Sequence, residues 1–189
     1  MTAARPSDIV DPIVTPRLEL VSMSARFMRT LQERDLKSAG HELGATVSEW
    51  MADELQNFVR YRLGQLERDP SIREWLGRAM VLTDEDGERR AIGSVGFHGP
   101  PDAEGRVEVG YSVDPEHRRQ RFAREAVKAL FEWAHRTHGI TRFVASVGPW
   151  NEASLNLIAQ FGFEKVGEQM DEIDGLEYVF ETTWPPAAD

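Results

Sequence analysis

The sequence predicts a mixed α/β (α+β) domain: a mostly antiparallel sheet flanked by helices, with one parallel strand pair. Three observations predict it. Residues 47–67 carry apolar side chains at helical spacing (Met51, Leu55, Phe58, Val59, Leu63, Leu66). Between 79 and 113, three short apolar runs are separated by the turn-rich segments DEDGE and GPPDAEG, which reads as an antiparallel meander. Residues 107–147 then read strand, helix, strand, a unit whose right-handed crossover brings its strands parallel in one sheet.

In chain order, IVTPRLELV (13–21) reads as one strand, with Pro16 marking an edge or a start. Ser24 caps a helix through Phe27, Met28 and Leu31, and the long pattern from Val47 to Glu67 is a second helix, stopped at Asp69-Pro70. Strands follow at 79–83, 91–98 and 106–113. A helix over Arg119–Thr137 aligns Ala123, Ala126, Val127, Leu130 and Ala134 and is closed by Gly139. ITRFVASV (140–147) is a strand, NEASLNLIAQFG (151–162) a short helix capped by Asn151, and FEKVGEQM and LEYVFETTW are two last strands turned at Asp174-Gly175. Residues 13–184 are expected to form one domain, with a frayed start at 1–12 and a tail at 185–189.

Composition narrows the function. The formal charge of -10 argues against nucleic acid, whose binding rests on cations neutralising phosphates. No apolar window approaches the roughly 20 residues that cross a bilayer, so no membrane partner and a cytoplasmic location are expected. With no cysteine there is no disulfide, thiolate metal site or cysteine nucleophile, and the five histidines show no convincing ligand spacing, so no metal is expected.

The charge is uneven. Residues 116–128 hold Arg118, Arg119, Arg121, Arg124 and Lys128 against Glu116 and Glu125, a net +3 that leaves -13 for the rest. The run lies where a strand gives way to a helix. Unpaired first-turn N–H groups, the helix dipole and flanking cations together suit an anion, a diphosphate above all. The alternative is a solvated basic helix start, which the dipole disfavours.

VEVGYSVDPEHRRQRFAREAV resembles the coenzyme A binding motif of the GNAT superfamily of N-acetyltransferases, and NEASLNLIAQFGFEKVG resembles that family's following Asn-x-x-Ser helix, Gly-Phe and strand. TPRLEL and IGSVGF are similar to the branch containing the ribosomal-protein N-terminal acetyltransferases. The resemblance implies a GNAT-type sheet with a splayed parallel pair of central strands, and acetyl-CoA as co-substrate. It implies that Arg118, Arg119, Gln120, Arg121, Phe122 and Ala123 wrap the diphosphate, that backbone N–H groups of Tyr111, Ser112 and Val113 meet the acetyl carbonyl and pantetheine, and that Gly110 permits a bulge there. Asn151 would hold the pantetheine arm and Ser154 would give the thiolate its proton; helix capping alone also accounts for both. Arg121 stands where the family usually has glycine and is expected in right-handed helical conformation, which arginine adopts without strain.

Glu108 is the expected base, directly or through a water, because the resemblance places an acidic residue on this strand; an exposed sheet carboxylate is the alternative. Tyr178 and His98 rank below it as proton carriers. The acceptor is expected to be a small-molecule amine or a protein N-terminus, selected by the helices of 24–67 and the last hairpin, whose Glu42, Glu49, Asp53, Glu54, Asp171, Glu172 and Asp174 suit a cation. A non-catalytic acyl-CoA binding module, and a transferase of longer acyl groups with pocket depth set near Phe97, Tyr111 and Leu155, remain as alternatives. Trp50, Trp75 and Trp133 suit either core or interface, so a monomer and a homodimer are both expected possibilities.

Overall fold

The computed structural model describes residues 10–172 and 175–186. Eight strands form one sheet in the order β1-β2-β3-β4-β5-β6-β8-β7: β1 Ile13–Val14, β2 Leu18–Ser22, β3 Arg78–Thr83, β4 Arg89–Phe97, β5 Arg106–Val113, β6 Arg142–Val147, β7 Glu164–Asp171 and β8 Gly175–Thr183. Every neighbouring pair is antiparallel except β5 and β6, which run parallel on either side of the crossover helix α5 (Phe122–His138). The expected fold class is therefore observed.

Among the described residues four α-helices precede β3: α1 Ala25–Gln32, α2 Leu36–Leu43, α3 Glu49–Glu54 and α4 Gln56–Arg68; α6, Glu152–Ala159, follows β6. The sheet separates two cores. Leu18, Leu20, Met80, Phe97, Val107 and Phe143 pack on α5 and α6, whereas Ala79, Val81 and Ala91 pack on α1–α4, the facing that strict strand alternation requires. Trp75, buried, and Trp133, partly buried, meet at 5.5 Å in the α5 core.

Several boundaries differ from expectation. The 13–21 strand is two strands, because the Thr15-Pro16-Arg17 turn folds β1 back on β2, pairing Ile13 with Leu20. The single 47–67 helix breaks at Leu55, which caps one helix and opens the next without any breaker residue. Helix α2, capped by Asp35 and closed by left-handed Gly44, was not expected. Ser24 and Asn151 cap as expected, accepting from Phe27 N and Ser154 N. The expected frayed residues 1–9, the tail end 187–189 and the turn residue Asp174 lie outside the described residues.

Candidate active site

Strand β5 does two jobs. Its even residues turn their backbone toward β4: Glu108 O accepts from His98 N at 2.8 Å and Asp114 N donates to Ile92 O. Its odd residues therefore face β6. The parallel register with β6 covers only Arg106–Glu108 against Arg142–Val144, a closed end tied by Glu181, which accepts from Arg106 at 2.7 Å and Arg142 at 3.0 Å. Beyond it no β5–β6 register pair forms among the described residues, so Tyr111 and Val113 present their amides to the opening. Ser112 does not: its amide faces β4 and its hydroxyl sits 3.3 Å from Ser94 Oγ.

The bulge expected at Gly110 is absent. Gly110 pairs regularly with Gly96, and the register shift lies instead in β4, where Ile92 is skipped between Ala91 and Gly93. The glycine answers a different need. A Cβ at position 110 would stand 2.9 Å from His98 Nε2, so the missing methyl makes room for that imidazole.

The parted strands open a cleft of about 300 Å³ at their carboxyl ends, walled by His98, Tyr111, Ser146, Asn151, Ser154 and Glu177 among others. Glu108 does not line it, but two of the residues it interacts with, His98 and Ser146, do. His98 Nδ1 lies 3.4 Å from Glu108 Oε2. Burial pushes the Glu108 carboxyl up, but His98, Ser146 and the Arg62 charge outweigh it and hold it below the usual carboxylate range. Arg62, only 5% exposed, fixes His98 from behind by donating to its carbonyl at 2.6 Å while its guanidinium lies over Phe58 and Tyr61.

The Tyr111 hydroxyl is buried and closes no hydrogen bond of good geometry; burial pushes its phenol up, and neighbouring Ser154 offsets part of that rise. On β7 and β8, Gln169 Nε2 bridges Ser146 Oγ at 3.1 Å and Glu177 Oε2 at 3.0 Å. Arg62, Ser146, Gln169 and Glu177 were not anticipated: Arg62 falls on an apolar helix stripe, and the others become neighbours only when β6, β7 and β8 align. Of the acids expected to select the acceptor, Glu42, Glu49 and Asp53 are paired with Arg26 and Arg34, and none of the described ones lines the cleft. Phe97 is fully buried in the core rather than at the cleft, and Tyr178 lies under Lys165 Nζ, 3.3 Å from its ring centre.

The basic run joins β5 to α5 through a short 3-10 turn, Pro115–His117. Arg118 is extended, its Nε donating to Val113 O at 2.8 Å. Arg119 and Arg121 are both left-handed, at φ 63° and 65°. The right-handed conformation expected for Arg121 is thus overturned, and α5 begins at Phe122 rather than Arg119. Each left-handed arginine costs about 1–2 kcal/mol relative to the right-handed form. Such residues turn successive N–H groups into one concavity that suits an anion. Arg121 caps α5 without a side-chain bond, leaving the amides of Phe122, Ala123 and Arg124 without intrahelical acceptors; the first helical bond is Glu125 N to Arg121 O at 3.1 Å. The Phe122 side chain is core, so that residue offers only its amide, and Ala123 leaves the backbone approachable. Among the described residues, the guanidinium groups of Arg119, Arg121 and Arg124 make no hydrogen bond or ion pair, so the donor set fits a diphosphate.

A sheet opened between parallel strands, with an anion-ready helix start at the mouth of the opening, is the architecture of a coenzyme A dependent acyltransferase. The model of the acetyltransferase (GNAT) domain family matches residues 26–164. The chain belongs to the GNAT acetyltransferase family. It is 37% identical over 79 residues to the uncharacterized N-acetyltransferase YoaA of Bacillus subtilis (strain 168), covering 42% of this chain and 45% of that one. It is 25% identical over 152 residues to the uncharacterized N-acetyltransferase YjdG of the same organism, covering 79% and 87%. The chain thus matches about half the length of YoaA. Among solved structures, the ribosomal-protein-S5-alanine acetyltransferase from Vibrio fischeri superposes with a TM-score of 0.59 at 17% identity, covering 95% of this chain and all of that one. The microcin C7 self-immunity acetyltransferase MccE, solved with acetyl-CoA and AMP, gives 0.61 at 15%, covering 95% and 97%. At these identities the likeness is one of fold.

Proposed function

We propose that the protein transfers the acetyl group of acetyl-CoA to the primary amine of a small cationic molecule or a protein N-terminus, directly, with both substrates bound. The observation that carries this reading is that one strand, β5, holds both an ionised carboxylate coupled to a cleft, at Glu108, and an anion cradle just past its carboxyl end. In it, Arg118, Arg119, Gln120, Arg121, Phe122 and Ala123 hold the diphosphate through backbone amides and guanidinium groups. The amides of Tyr111 and Val113 reach the pantetheine and the acetyl carbonyl, where negative charge develops. Asn151 keeps its capping bond and faces the pantetheine arm.

When bound, the thioester supplies an activated acyl carbon and a thiol leaving group. Glu108 is the base and works through His98, which stands at the cleft wall and takes the amine proton toward the carboxylate. Ser154, beside the Tyr111 hydroxyl, returns a proton to the departing thiolate. The test is thiol release from acetyl-CoA across a panel of amines, for the wild type and Glu108→Gln. Release that falls about 100-fold or more in the variant with coenzyme binding unchanged supports the reading. Binding without release in the wild type points to an acyl-CoA binding module, and release only from longer acyl-CoAs to a different acyl donor.

A further inference from the structure

The loop that carries the two left-handed arginines is held from outside by the β1–β2 turn. Thr15 N donates to Leu18 O at 2.8 Å, and Thr15 Oγ1 accepts from Leu18 N at 2.8 Å, so the turn is closed upon itself. Its outer rim grips the start of α5. Thr15 Oγ1 and Arg17 N both donate to Glu125 Oε1, at 2.6 and 2.9 Å, and the Arg17 guanidinium chelates Glu125 Oε2 through Nε and Nη2, each at 2.7 Å. The remaining nitrogen, Nη1, donates to Gln120 O at 3.1 Å, and the guanidinium carbon sits 4.3 Å above the Phe122 ring.

Gln120 is the residue between left-handed Arg119 and Arg121. Among the described residues, apart from the first helical bond of α5, Glu125 N to Arg121 O, the Arg17 bond is the one hydrogen bond from another element to the backbone of 119–121, and Arg121 has no side-chain cap of its own. A cation beside a helix amino terminus is unfavourable in itself, so the helix dipole does not account for Arg17. Its fork instead ties the Gln120 peptide to the first turn of α5 through a carboxylate that also neutralises it. We propose that Arg17 is a positioning residue: it holds the 119–121 backbone in the strained conformation that aims its amides at a diphosphate, standing in for the freedom a glycine at 121 would give. This rests on the reading of that loop as the diphosphate cradle.

The test is a double-mutant cycle read as the dissociation constant of coenzyme A by calorimetry, with thermal midpoints recorded alongside. The proteins are the wild type, Arg17→Met, Arg121→Gly and the double variant. Methionine keeps much of the packing over Phe122 and loses the fork. In the arginine background, Arg17→Met is expected to weaken binding about tenfold, as for loss of a hydrogen bond to a charged donor. With glycine at 121 the same change is expected to cost less than about twofold, because the left-handed conformation no longer needs support. A merely structural Arg17 would weaken binding equally in both backgrounds, and that result, or no weakening at all, overturns the proposal. If Arg17→Met does not fold, Arg17→Lys, which keeps the charge and loses the fork, replaces it with the same expectations. A wild type that does not bind coenzyme A overturns the cradle reading and this proposal with it; a wild type that binds while Arg17 is dispensable overturns this proposal alone.

Discussion

Glu108 keeps its charge although burial pushes its carboxyl up, because His98, Ser146 and Arg62 outweigh that push. A carboxyl depressed in the folded state contributes stability above its unfolded pKa, and that contribution is lost as pH falls through the folded value. Its titration, followed by carbon NMR, should therefore have a midpoint below the ordinary glutamate value of about 4.3. Glu108 then stays ionised across the working range and adds no step there, so the uppermost step in the rise of kcat/KM with pH reports the acceptor amine: near pH 8 for an α-amine, toward about 10 for a lysine-like one. At Arg121 the prediction concerns stability. Arg121→Gly relieves about 1–2 kcal/mol of backbone strain against about 0.5–1 kcal/mol of added chain entropy, so the midpoint should rise by up to roughly 6 °C. A clearly lowered midpoint would place that residue outside the left-handed region. This conformation was not legible in the sequence, because arginine there signals charge and says nothing of φ. The Asn151 and Ser24 caps were legible, because their chemistry is local.

At the scale of elements, the site depends on β4 and β5 staying close while β5 and β6 part. Gly110→Ala would drive the imidazole of His98 off its seat and should cut kcat with little change in thermal midpoint or coenzyme A affinity, which calorimetry beside steady-state kinetics would show. Under β3 the requirement is burial of a charge. Arg78, 1% exposed, donates to the carbonyls of Asp11, Leu20 and Glu74 and lies 5.0 Å from the Trp133 ring; burial lowers its pKa to about 10. Arg78→Met strands those carbonyls and should cost about 3 kcal/mol in urea unfolding; a loss under 1 kcal/mol would show that water or repacking satisfies them. The amphipathic face of α5 and the meander strands were readable because their periods, 3.6 and 2, repeat over enough residues. Helix α2 escaped notice because Gly40 and His41 interrupt a pattern of only eight residues, and the break at Leu55 is set by packing rather than by a breaker.

Over the whole molecule, a net -10 chain gathers a +3 island past the carboxyl end of its central strand, whose residues 109–111 line the cleft. That island, the crossover and the strand-helix pairing were visible in the sequence; the wiring of Glu108 to the cleft through His98, and of Glu177 to Ser146 through Gln169, was not, since it arises from strand register. An anion held by such a cradle should be sensitive to ionic strength. The measurement that bears most directly on the account is calorimetric titration with acetyl-CoA beside acetyl-pantetheine, which shares the thioester and lacks the diphosphate and nucleotide. The account predicts micromolar binding of acetyl-CoA that weakens with added salt and no measurable binding of acetyl-pantetheine. Equal binding of the two, or none of either, would contradict it.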